Sequence, residues 1–115
     1  MGRGLTVTKR ANSTGLRVVW SDNFRVIGNN TACRWEVLFN GASCAAPGAL
    51  VFDKYEGATS SNRHDPSTFV GTCFSPAVGN VAVTTRVGPA PGYAVTDCWT
   101  GWNNQLFSIE AEEVQ

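Results

Sequence analysis

Four cysteines, Cys33, Cys44, Cys73 and Cys98, stand far apart in a chain of 115 residues. An even count at wide spacing reads as disulfides, and disulfides persist in oxidising compartments. Spacing alone leaves their connectivity open. Two glycosylation sequons accompany them, Asn12-Ser13-Thr14 and Asn29-Asn30-Thr31. Sequons matter on the secretory route and on exposed loops. The expectation is a secreted β domain with glycan acceptors at Asn12 and Asn29, rather than a cytosolic enzyme.

This length makes one domain with a modest core. Residues 1–4 read as linker and residues 5–115 as the single globular domain. The hydrophobic fraction of 43% is ordinary, and 16% charged is low. Formal net charge is zero, which disfavours phosphate backbones and hence nucleic acid. Charge is uneven, however. Residues 1–35 hold six bases and only Asp22 as an acid, whereas residues 97–115 hold Asp97, Glu110, Glu112 and Glu113 and no base. Opposite signs at the two ends suit neighbouring strands. No leader and no membrane-length apolar run is read, so membrane insertion is not expected. Secretion is inferred from the body of the chain, which reads as an excised module.

Leu5-Thr6-Val7-Thr8 alternates as a half-buried strand does. Leu16–Trp20 and Phe24–Ile27 read as a hairpin turning at Ser21-Asp22-Asn23. Cys33–Phe39 is a strand ended by Asn40-Gly41, a pair that tolerates positive φ. Ala49–Tyr55 is another strand, and Glu56–Pro66 reads as a long surface loop. Thr68-Phe69-Val70 resumes, and Val81–Val87 is the clearest strand. Gly88–Gly92 suits neither a helix nor a central strand. The last strand is read from about Gln105 to Glu112. Glu110–Glu113 has helix propensity, but nothing follows to stabilise a helix. About eight short strands predict an antiparallel β-sandwich or jelly roll.

Chemistry is sparse. His64 is the sole histidine, and no CxxC or HxxxH spacing offers a metal site. A Cys73–His64 pair would need a reduced, activated thiol, which a disulfide removes. Asp53 and Glu56 flank Tyr55, but a glycosidase needs two acids across a groove. The expectation is a non-enzyme with no cofactor and no metal. Trp20 and Trp35 read as core. Trp99 and Trp102 flank a turn and, with Tyr93, are candidates for a partner or ligand contact.

Thr8-Lys9, Leu16-Arg17-Val18, Cys33-Arg34-Trp35, Phe39-Asn40-Gly41-Ala42-Ser43-Cys44 and Thr100-Gly101-Trp102-Asn103 carry a resemblance. In order and spacing they resemble the C-terminal globular domains of the collagen triple helix repeat-containing protein 1 family, from about Leu5 to Val114. The resemblance implies a secreted matrix glycoprotein whose head follows a Gly-X-Y segment and is associated with trimers. It implies a jelly-roll-like head similar to those of the complement and tumour-necrosis-factor group. It also implies links to collagen deposition and planar-polarity Wnt signalling. Cys44 with Cys73, and Cys33 with Cys98, is the pairing it implies. The compared member has further cysteines near Leu5 and Gly28, absent here as loss of one bridge would leave them. Its last-loop cysteine falls nearer Gly88 than Cys98.

The expected role is a homotrimeric head that registers the collagenous segment of its own chain, with an apolar interface. Val83, Phe107 and Ile109 are the interface candidates on the later strands. A matrix or cell-surface receptor is a further expected partner. The alternative is a lectin-like or receptor-ligand module using Trp99, Trp102 and Tyr93.

Overall fold

The computed structural model describes residues 3–57, 61–62, 64–94, 97–101 and 107–115. Ten strands occur among them, all paired antiparallel: β1 Gly4–Lys9, β2 Gly15–Gly28, β3 Thr31–Phe39, β4 Ala42–Ser43, β5 Leu50–Glu56, β6 Ser61–Asn62, β7 Asp65–Cys73, β8 Gly79–Pro89, β9 Asp97–Thr100 and β10 Ser108–Val114. They build a β-sandwich. One sheet runs β1-β8-β3, with β4 and β5 sharing the far side of β3. The other is centred on β2, with β10 and β9 along one flank and β7 and β6 along the other.

Alternation explains the layers, because successive strand residues face opposite sides. Leu16, Val18, Trp20, Phe24 and Val26 of β2 point inward and are buried. Cys33, Trp35, Val37 and Phe39 of β3 and Val81 and Val83 of β8 meet them. Phe24 makes edge-to-face contacts with Trp20, Trp35 and Phe52, and Phe52 stacks on Trp35 at 5.3 Å. Trp20 and Trp35 are therefore core.

The hairpin expected at Ser21-Asp22-Asn23 does not exist. These residues lie inside β2, a single strand of 14 residues. Their polarity is absorbed by tertiary partners. The Ser21 and Thr68 hydroxyls pair at 2.8 Å. Asp22 is 1% exposed in its side chain and pairs with Arg3 at 2.8 Å. The loop expected over Glu56–Pro66 also shrinks. Glu56 ends β5, β6 pairs with Ile27 and Gly28, and β7 begins at Asp65. β8 continues through Gly88 and Pro89, opposite Arg34 and Cys33. Proline is tolerated there because β1 pairs β8 only as far as Thr84, which leaves that flank an edge. Glu110–Glu113 is strand, with Ala111 and Glu113 on the inner row opposite Val18 and Leu16.

Asn40 and Gly41 form the expected tight turn, with φ of 52° and 80°. The domain starts earlier than read. Arg3 is buried and Gly4 opens β1, so both belong to the fold rather than to a linker.

The disulfides join Cys33 to Cys98 and Cys44 to Cys73, the pairing the resemblance implied. Each crosses between sheets, one at either end of the sandwich. Cys98 Sγ lies 3.7 Å from the Gly88 carbonyl oxygen. The cysteines absent at Leu5 and Gly28 are not one lost bridge. Leu5 opposes Val83, which opposes Phe39, whereas Gly28 turns into Thr31 at the other end of β3. Eight residues of strand separate those ends, roughly 26 Å, far beyond disulfide reach.

Candidate interaction surface

The outward row of β2 is Gly15, Arg17, Val19, Ser21, Asn23, Arg25 and Ile27. Register sets Val70 beside Val19, Thr68 and Ser108 beside Ser21, Thr72 and Glu112 beside Arg17, and Trp99 beside Arg25. The Phe74 ring lies over Gly15, so close that a Cβ there would meet it at 2.8 Å. Val70 is 51% exposed, and Phe74 and Trp99 are nearly as exposed. Exposed apolar side chains therefore mark this outer face at Val70 in mid-strand, Phe74 at one end and Trp99 at the other, with polar rows between them. Phe107, also exposed, borders a cleft of about 490 Å³ with Ser21, Asn23, Thr68 and Ser108 on the same face. Charge lies among these apolar side chains: exposed Glu110 opposes Val19, Arg25 sits beside Trp99, and Arg17 and Glu112 pair at 3.6 Å and are both well exposed. Opposite charges from the two chain ends do meet here, and such a pair contributes little to stability.

Of the sequence-predicted contact residues, Trp99 and Phe107 reach this face. Val83 does not, being 0% exposed between the sheets. Ile109 sits on the inner row opposite Trp20 and packs against the core. Both candidates failed because an apolar side chain on a strand has two faces to choose between, and these are on the inner one. Tyr93 lies elsewhere. It packs against Tyr55 at 5.9 Å, and Tyr55 opposes Ala32 in the other sheet. The lectin-like set is thus split between two sheets. Trp102 lies outside the described residues. Val70 and Phe74 were missed, although alternation around Val70 was a usable signal.

The Thr100-Gly101 string has a structural job. Thr100 Oγ1 accepts a 2.8 Å bond from the Trp35 indole. Gly101 has φ of 84°, and a Cβ there would stand 2.4 Å from Arg3 Nη2. Glycine is needed on both counts. Arg3 itself lies 3.7 Å above the Phe107 ring. It reaches Asp22, whose carboxylate also accepts from Trp20 Nε1 at 3.0 Å and the Asn23 amide at 2.9 Å. This buried centre holds the middle of the outer face in shape.

Other titratable groups are structural. Cys73 is in a disulfide, which removes the thiol a Cys73–His64 pair would need. His64 is half-buried, with Nε2 3.3 Å from Arg25 Nη1. Asp53 and Glu56 fall on opposite faces of β5. No group of three or more histidine, cysteine or acidic side chains that could hold a metal occurs among the described residues.

Asp53, Glu36 and Glu113 titrate low. The Arg34 guanidinium, bonded at 2.7 Å, holds Asp53 below the usual range. Burial pushes Glu36 up, but Ser43 and Arg86 together outweigh it. The Thr14 hydroxyl at 2.5 Å and the amides of Arg10 and Ala11 hold Glu113 down. Each folded value lies below the ordinary one, so each contribution is complete above that ordinary value. It is lost as pH falls through the folded value. Urea unfolding across pH should therefore show stability declining below about 4.5. Glu113→Gln should flatten part of that acid limb. An unchanged limb in the variant would contradict the assignment.

Residues 3–109 match the family model of the CTHRC1 C-terminal domain. The chain belongs to the CTHRC1 C-terminal domain family. The match covers both disulfides and nearly all of both sheets. Membership is consistent with an extracellular, collagen-associated domain, and the two disulfides suit an oxidising setting. No helix among the described residues is long and apolar enough to cross a membrane.

Proposed function

We propose that this CTHRC1-type domain is the head of a secreted matrix protein and associates as a homotrimer through the outer face of the β2 sheet. The observation that carries the reading is the set of exposed apolar side chains on this face, Val70, Phe74 and Trp99, with Phe107 beside them. A monomer gains nothing by exposing such a face, whereas association removes it from water. Three joined heads would hold three collagenous segments of their own chains together. That raises local concentration, and PPII strands gain little until aligned. The role is non-enzymatic. Matrix or cell-surface partners, including receptors of the planar-polarity Wnt branch, would engage the assembled heads.

Val70→Glu tests this. Val70 is already half exposed, so the variant should keep its melting temperature within a few degrees. It should sediment as a single chain where the parent sediments as three. A variant that remains fully trimeric would remove this face from the interface.

A further inference from the structure

The second sequon stands beside an aromatic platform on the other sheet. Asn29 and Asn30 make the exposed turn between β2 and β3, and Asn30 is left-handed with φ of 45°. The Tyr55 hydroxyl donates to Asn30 Oδ1 at 3.0 Å, fixing the ring to this turn. Tyr55 is 55% exposed and Tyr93 40%, although they touch. Neighbouring Cα atoms are about 3.8 Å apart, so a sugar on Asn29 begins one residue from the atom that holds Tyr55. Sugar C–H faces are apolar and suit the negative face of a phenol ring.

The geometry points to a glycan on Asn29 whose first N-acetylglucosamine seats on the Tyr55–Tyr93 platform. In the modification the Asn29 Nδ2 attacks C1 of a lipid-diphosphate-linked oligosaccharide. The N–C1 bond forms, the C1–O bond breaks, the lipid diphosphate leaves with the electron pair, and the amide gives up one proton. Thr31 is buried in the folded domain, so the transfer precedes closure of this turn. The glycan therefore acts on the folded state as an added packing element. The platform lies away from the outer face of the β2 sheet, so this inference stands apart from the trimer reading.

The test uses the domain secreted from eukaryotic cells that make only high-mannose glycans, with Asn12→Gln leaving Asn29 as the one sequon. Endoglycosidase H leaves one N-acetylglucosamine, and peptide-N-glycosidase F leaves none. The single-sugar form should melt about 4 °C higher than the bare form. In Tyr55→Ser/Tyr93→Ser that gap should fall by half or more. Two results would overturn the proposal: intact mass showing Asn29 unmodified, or a gap that is the same in parent and double variant. Solution mass of the same samples reports the trimer separately.

Discussion

Asp22→Ala should cost about 3–5 kcal/mol of folding stability, measured by denaturant unfolding. Asp22 accepts from the Arg3 guanidinium, the Trp20 indole and the Asn23 amide within this buried centre. Removing the carboxylate takes the counter-charge from the buried cation packed under Phe107 and an acceptor from two N–H groups. Small domains have only about 5–15 kcal/mol to lose. Arg3→Met/Asp22→Leu should recover part of the loss, because no buried charge remains, but not all, because the Trp20 indole loses the carboxylate it donates to. A loss under about 1 kcal/mol for Asp22→Ala would mean the pair is solvated.

Removing the Cys33–Cys98 bridge should be about as costly. It spans 65 residues, against 29 for Cys44–Cys73. Loop-closure entropy puts the longer bridge at roughly 4.3 kcal/mol and the shorter at roughly 3.6. The longer one also ties β9, a strand of four residues, to the core of the opposite sheet. Cys33→Ala/Cys98→Ala should therefore lose Trp99 from its place beside Arg25 as well as stability. Unfolding in urea ranks the two paired variants. A larger loss from Cys44→Ala/Cys73→Ala would show that local strain or packing, not loop length, sets the order.

The sequence made the local features plain and the tertiary ones opaque. Asn40-Gly41 announced its turn because positive φ is a property of those two residues alone. Val81–Val87 announced its strand because alternation is local. Ser21-Asp22-Asn23 misled because its polarity is satisfied by Thr68 of β7 and by Arg3, just before β1. Glu113 looked helical because its partners, Arg10, Ala11 and Thr14, are about a hundred positions away. The interface suffered in the same way. Val83 and Val70 are equally apolar and equally strand-like, and only the assignment of faces separates core from surface. That assignment depends on pairing with strands distant in sequence. The disulfides came from the family pattern, since spacing alone left several pairings open.

The two sequons sit at opposite ends of a molecule 48 Å long, in the turns that precede and follow β2. Neither is on the outer row of β2. Both acceptors are exposed in the domain.

The most direct test of the trimeric head is solution mass by light scattering across a concentration series, with and without reductant. For glycan-free protein of 12.3 kDa per chain, the account predicts a species of three chains' mass. It predicts the same mass in mild reductant that leaves the fold intact, since both disulfides lie within one chain. A single-chain mass at every concentration would contradict it.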